Sequence, residues 1–126
     1  MTNVKWVMWA GVSVLLGVGV GCSPEKHVSF QSEISPIISR NCTECHSNGG
    51  IGTQKSGLDV SSYDQLMKGT KFGPVVTPGD PLSSSLYRLV AGLADKSIKM
   101  PHSKEPLKDT EIKKIEQWIR QGAKNG

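Results

Sequence analysis

Apolar side chains at Phe30, Ile34, Ile37 and Ile38 recur with helical spacing and predict a first helix ending near Asn41. Pro36 lies inside that stripe and is costly in mid-helix. The helix is therefore expected to start near Glu33 or Ile34, with Pro36 in its first turn. A second short helix is expected over 61–69, with a serine as N-cap and Gly69 as its stop. Leu86, Leu89, Val90 and Leu93 form a third stripe, for which Ser83 or Ser84 is the expected cap. Ile112, Ile115, Trp118 and Ile119 form the last one. Asp109 is its expected cap, Glu111 sits in its positively polarised first turn, and Gly122 is its stop. The Gly/Ser/Asn-rich stretch 47–57 and the stretch 95–108 read as loops, and 73–81, with three prolines, is extended and turned. No alternating strand pattern and no repeat is visible. The pattern predicts an all-α fold of three to five short helices joined by long loops.

Ahead of these stripes lies an uncharged, mostly apolar run of 14 residues, Val7 to Val20. A comfortable membrane span needs roughly 20 residues, so the run fits the apolar region of an export signal better. It ends in Gly19-Val20-Gly21-Cys22. Small residues directly before a cysteine resemble the lipobox of bacterial lipoproteins, in which the cysteine becomes the lipidated N-terminus. The resulting expectation is a signal peptide over 1–21, lipidation of Cys22, a polar tether over 22–29 and one domain over 30–126. Such a protein sits in the bacterial cell envelope, faces the periplasm and is anchored to a membrane by lipid.

The 126 residues allow a single domain. Fifteen basic residues face 11 acidic ones, and no Lys/Arg cluster exceeds Lys113-Lys114. That balance speaks against nucleic acid as a partner. Two Phe and two Tyr are present, and of three Trp only Trp118 falls in the domain, so the aromatic core is thin. A bound group is expected to complete it, and the apoprotein is expected to be largely unfolded.

Cys42-Thr43-Glu44-Cys45-His46 is the pattern C-x-x-C-H, directly after the first helix. Two thiols about a helical turn apart can add across the two vinyl groups of one haem, and the adjacent histidine then lies under the iron. Cys42 and Cys45 are thus candidates for covalent attachment of one haem c per chain, with His46 as an axial ligand. Other readings of the motif are a thiol pair for disulfide exchange, a small disulfide loop, or a zinc site completed by His102 or His27. The exchange reading calls for a βαβ context that the pattern lacks. For the sixth iron ligand, Met100 in Lys99-Met100-Pro101-His102 is the first candidate, and His102 or an open position are the alternatives. Met67 is expected to pack.

With C-x-x-C-H after a first helix, Met-Pro in a late loop and Trp118 in a C-terminal helix, the chain resembles class I cytochrome c domains. More narrowly, Pro36-Ile37-Ile38, Asn41 to His46, Gly57 to Tyr63, Pro78-Gly79-Asp80-Pro81, Ser84 to Arg88 and Trp118 to Ala123 resemble the Planctomycete-type cytochrome c domain. The resemblance spans about residues 30–124. It implies a cytochrome c-like fold around a covalently bound haem, with Trp118 packing on the first helix near Phe30 or Ile34. It further implies electron transfer to redox partner proteins by a membrane-tethered monohaem cytochrome with His/Met ligation, rather than an enzyme. A haem-based redox or gas-sensing domain, and an electron-supplying subunit of a larger haem enzyme, are the alternatives.

Overall fold

The computed structural model describes residues 21 and 23–126; the expected signal segment up to residue 20, and Cys22, lie outside them. Among the described residues there are six α-helices and no strand, only an isolated bridge between Thr70 and Gly73. The all-α expectation holds. No described helix is long and apolar enough to cross a membrane.

The chain enters through a π-helical turn, Phe30–Ile34, which runs directly into α1, Ser35–Asn41. Ser29 caps that turn, its hydroxyl accepting from the Ser32 amide. Pro36 then falls in the first turn of α1, where its missing N–H costs little. The widened turn and the late start of α1 are two sides of one accommodation: Pro36 cannot donate back to the preceding turn.

Packing begins earlier than the polar composition of 22–29 suggests. Val28 is buried, and its amide donates to Gln121 Oε1 at 2.9 Å. The side-chain amides of Gln117 and Gln121 both donate to the Lys26 carbonyl. The tether proper therefore ends near Lys26, because the last helix grips the backbone that follows it.

α2, Thr43–His46, is a single turn that carries the cysteine–histidine motif. α3, Ile51–Ser56, lies within the stretch expected to be a loop. α4, Tyr63–Lys68, matches its expected cap and stop: Ser62 Oγ accepts from the Gln65 amide, and Gly69 ends the helix at φ 80°. α5, Ser85–Val90, stops short of Leu93, which is exposed. Ser84 precedes α5 without capping it. Its buried hydroxyl instead accepts from the Thr77 amide and donates to the Asp80 carbonyl, tying the Pro-rich turn to the helix start. A 3-10 turn, Lys96–Ile98, interrupts the second long loop.

α6, Asp109–Arg120, is the longest helix. Its N-cap is Lys108, not Asp109, and Glu111 closes the end by accepting from the Lys108 amide at 3.0 Å. Asp109 remains in the first turn, where its charge suits the helix dipole. The core joins Phe30, Ile34, Ile37 and Ile38 to Leu66, Ile115, Trp118 and Ile119. Two ion pairs reinforce the contact of α6 with the N-terminal elements, Arg40–Glu111 at 2.6 Å and Lys114–Glu33 at 3.2 Å.

Candidate functional site

The motif adopts a helical turn because α1 delivers it. The Cys42 amide donates to the Ile38 carbonyl, and the His46 amide donates back to the Cys42 carbonyl at 2.9 Å. Thr43 and Ser47 add hydroxyl bonds to carbonyls four residues earlier, Ser39 and Thr43, so the turn is braced along its outer side. Both thiols are free and half-buried.

α2 borders a cavity of about 440 Å³ with predominantly apolar walls. Cys42, Cys45, His46 and Met100 all line it, together with Pro101 and His102. Val60, Val75, Leu86, Leu89 and Val90 supply aliphatic wall from three other parts of the chain. Sequence patterning placed Leu86, Leu89 and Val90 in a helix stripe and Val75 in a turned stretch, assigned Val60 to no element, and gave no sign that they converge. Met67 does not line the cavity and packs against the core. His27 lies exposed at the end of the tether and does not line the cavity. A polar, shallow hollow of about 550 Å³ lies on another side of α2, lined by Ser39, Arg40, Glu44 and Asn48 among others, without a convergent set of donors.

His46 is held by its surroundings rather than by a single bond. Its carbonyl accepts from the Val60 amide at 2.7 Å, which fixes the backbone. α3 crosses directly over the imidazole at Gly52. A Cβ there would lie 2.6 Å from Cε1 and 2.7 Å from Nε2 of the ring, so only glycine lets the helix pass. Gly50 plays the same part against the Cys45 carbonyl, 2.6 Å from where its Cβ would be. This explains two of the glycines in a stretch that otherwise looks like featureless loop.

Nδ1 of His46 is buried without a hydrogen-bond partner, and the residue lines the cavity. The Leu58 carbonyl interacts with the ring and also receives the Thr53 hydroxyl at 2.9 Å. Burial holds the imidazole below its ordinary pKa; the Leu58 carbonyl works against this, and the neighbouring His102 adds to it. The ring is thus kept neutral near pH 7, the form that ligates a metal. The Cys42 thiol is pushed up to about 11 by burial. A thiol so reluctant to ionise is poorly suited to disulfide exchange, which proceeds through the thiolate. Among the described residues, no three His, Cys, Asp or Glu side chains converge as a metal-binding group.

The residues fit a haem. A neutral imidazole and a thioether face one apolar cavity, two thiols stand on the helical turn at its edge, and a glycine clears the space for the ring. Comparison with curated proteins and with solved structures gives no significant match. Residues 42–103, from the first motif cysteine to just past Met100-Pro101-His102, match the family described as Planctomycete cytochrome C.

Proposed function

We propose that this protein is an electron carrier, a monohaem c-type cytochrome tethered by lipid on Cys22 to a membrane of the bacterial envelope and facing the periplasm. One haem c per chain is held by thioether bonds from Cys42 and Cys45, with His46 and Met100 as the axial ligands of its iron. The observation that carries this reading is the meeting of His46 and Met100, 54 residues apart in sequence, on the wall of one apolar cavity beside both cysteines.

Bound haem supplies a one-electron iron couple. The protein's part is to set that couple's environment. His46 offers a neutral nitrogen whose ring is fixed between α2 and α3. Met100 offers a soft thioether, which favours the reduced metal and raises the potential relative to two histidines. The aliphatic wall excludes water and lowers the local dielectric, which acts in the same direction. No acid–base pair is needed, and electrons pass to a partner protein across a small transient contact of under ~1,200 Å².

Optical spectra of the periplasmically matured protein test the ligation. The expected result is a low-spin c-type spectrum with the weak long-wavelength ferric band of thioether ligation, lost in Met100→Ala. Ready uptake of carbon monoxide by the unmodified protein, or an unchanged spectrum in Met100→Ala, would replace this reading with an open or His102-ligated iron and a sensing role. Absence of haem would overturn it entirely. For the tether, Cys22→Ser is expected to move the protein from the membrane to the soluble fraction; continued membrane association would remove the lipid anchor.

A further inference from the structure

Met100 reaches the cavity on a segment with very few fastenings. Its amide donates to the Leu89 carbonyl at 3.2 Å, which fixes the near end to α5. At the far end Leu107 is buried and Lys108 enters the cap of α6. Between them, over 101–107 and among the described residues, one polar link to the rest of the fold is present. Lys104 Nζ lies 2.5 Å from Glu44 Oε2. Glu44 stands between the two motif cysteines on α2, and Lys104, only 30% exposed along its side chain, lines the same cavity as Met100.

We propose that the Lys104–Glu44 ion pair is a clasp that holds the Met100 segment down against the haem-attachment turn, which makes both residues positioning residues for the sixth iron ligand. This rests on the reading of Met100 as that ligand. Geometry gives the clasp its leverage. It joins the strand of chain bearing one axial ligand to the helical turn bearing the other, at a point four residues beyond Met100. Without it, the stretch from Pro101 to Leu107 is restrained only at its two ends. An ion pair with one exposed partner is weak and screened by salt, so the clasp tunes the rate at which the segment lifts and is not required for folding.

The test uses the haem-loaded protein and the variants Glu44→Gln, Lys104→Gln, the double neutral variant, and the charge-reversed pair E44K/K104E. The first readout is hydrogen exchange of the backbone amides over 102–107, and the second is the rate at which imidazole displaces the thioether from ferric iron. Each single variant is expected to speed both by about two- to fivefold, the range of a weak ion pair. The double neutral variant should add nothing beyond either single change, and the reversed pair should restore the original rates. Unchanged exchange in both single variants, or effects that multiply in the double variant, would overturn the clasp. If Met100→Ala leaves the spectrum unaltered, the ligation reading fails separately, and exchange alone then decides: faster in the single variants sustains the clasp, unchanged removes it.

Discussion

The rings of Phe30 and Trp118 lie 5.5 Å apart, centroid to centroid, where the first turn of the fold meets its last helix. Tyr63 completes the group. Its ring stands edge-on to Phe30 at 5.1 Å, and its hydroxyl donates to the Ala123 carbonyl at 2.8 Å. The Trp118 indole N–H likewise donates to the Lys124 carbonyl. Three aromatic side chains thus bind the N-terminal turn, α4 and the end of α6 to one another. The polar tips of Tyr63 and Trp118 each bond a backbone carbonyl of the segment that follows α6.

Trp118→Ala is therefore expected to destabilise the haem-loaded protein by about 3–5 kcal/mol, the range for removing a fully buried aromatic ring. Urea denaturation followed by the haem absorption checks this. Trp118→Phe should lose less, since it keeps the contact with Phe30 and gives up the indole bond. An alanine variant within about 1 kcal/mol of the parent would mean that the aromatic group does not anchor the two ends of the fold.

Gly52→Ala adds one methyl group where the imidazole of His46 already lies. Over-packing of this kind costs about 1–3 kcal/mol when the neighbours can shift. Here the neighbour is the candidate iron ligand, and its backbone is pinned by Val60. The expected outcome is a lower yield of haem-loaded protein and a perturbed low-spin spectrum, at secondary structure close to the parent's by circular dichroism. A variant with parental yield and spectrum would show that α3 can move away from His46 freely.

The aliphatic residues Val60, Val75, Leu86, Leu89 and Val90 line the cavity, and Val60, Val75 and Val90 also belong to the buried core. A porphyrin in the cavity would cover the apolar surface that these residues contribute to its wall. The double variant C42A/C45A, matured without covalent haem, is expected to lose most of its helical circular dichroism and its cooperative thermal transition. A cooperative, native-like transition in that variant would show that the aromatic group and the α1–α6 contact suffice to fold the chain.

How far the sequence discloses all this depends on the range of the forces involved. The stripes at 30–38 and 112–119 are legible because one helix buries one face, and their periodicity survives in the order of residues. Cys42, Cys45 and His46 are legible because covalent attachment dictates a local spacing. α3 is hidden because Ile51-Gly52-Thr53-Gln54-Lys55-Ser56 has no apolar stripe, and Gly52, Thr53 and Ser56 are weak helix formers. It is held by its packing on α2, which only the fold supplies. The cap of α6 shifts by one residue because Glu111 reaches back to Lys108, an interaction that favours a backbone position over the side-chain chemistry of Asp109. The Lys104–Glu44 pair is invisible in sequence for a plainer reason: 60 residues separate two ordinary surface charges.

Acid should weaken the contact between the N-terminal turn and α6 in a defined direction. Lys114 beside Glu33 holds its carboxyl below the ordinary value of 4.5; burial opposes this, and the Ser29 amide and Lys26 reinforce it. A carboxylate depressed in the folded state contributes stability that is complete above its unfolded value. That contribution fades as the pH falls through the folded value below it. Glu33→Gln removes it. The parent is therefore expected to be more stable than the variant by a constant margin above about pH 5, with the two converging as the pH falls through the folded value below 4.5. Denaturation midpoints of both haem-loaded proteins across that range check the prediction, and their difference cancels every other group that titrates in both. A margin that persists unchanged into acid would show that Glu33 acts through packing and not through its charge.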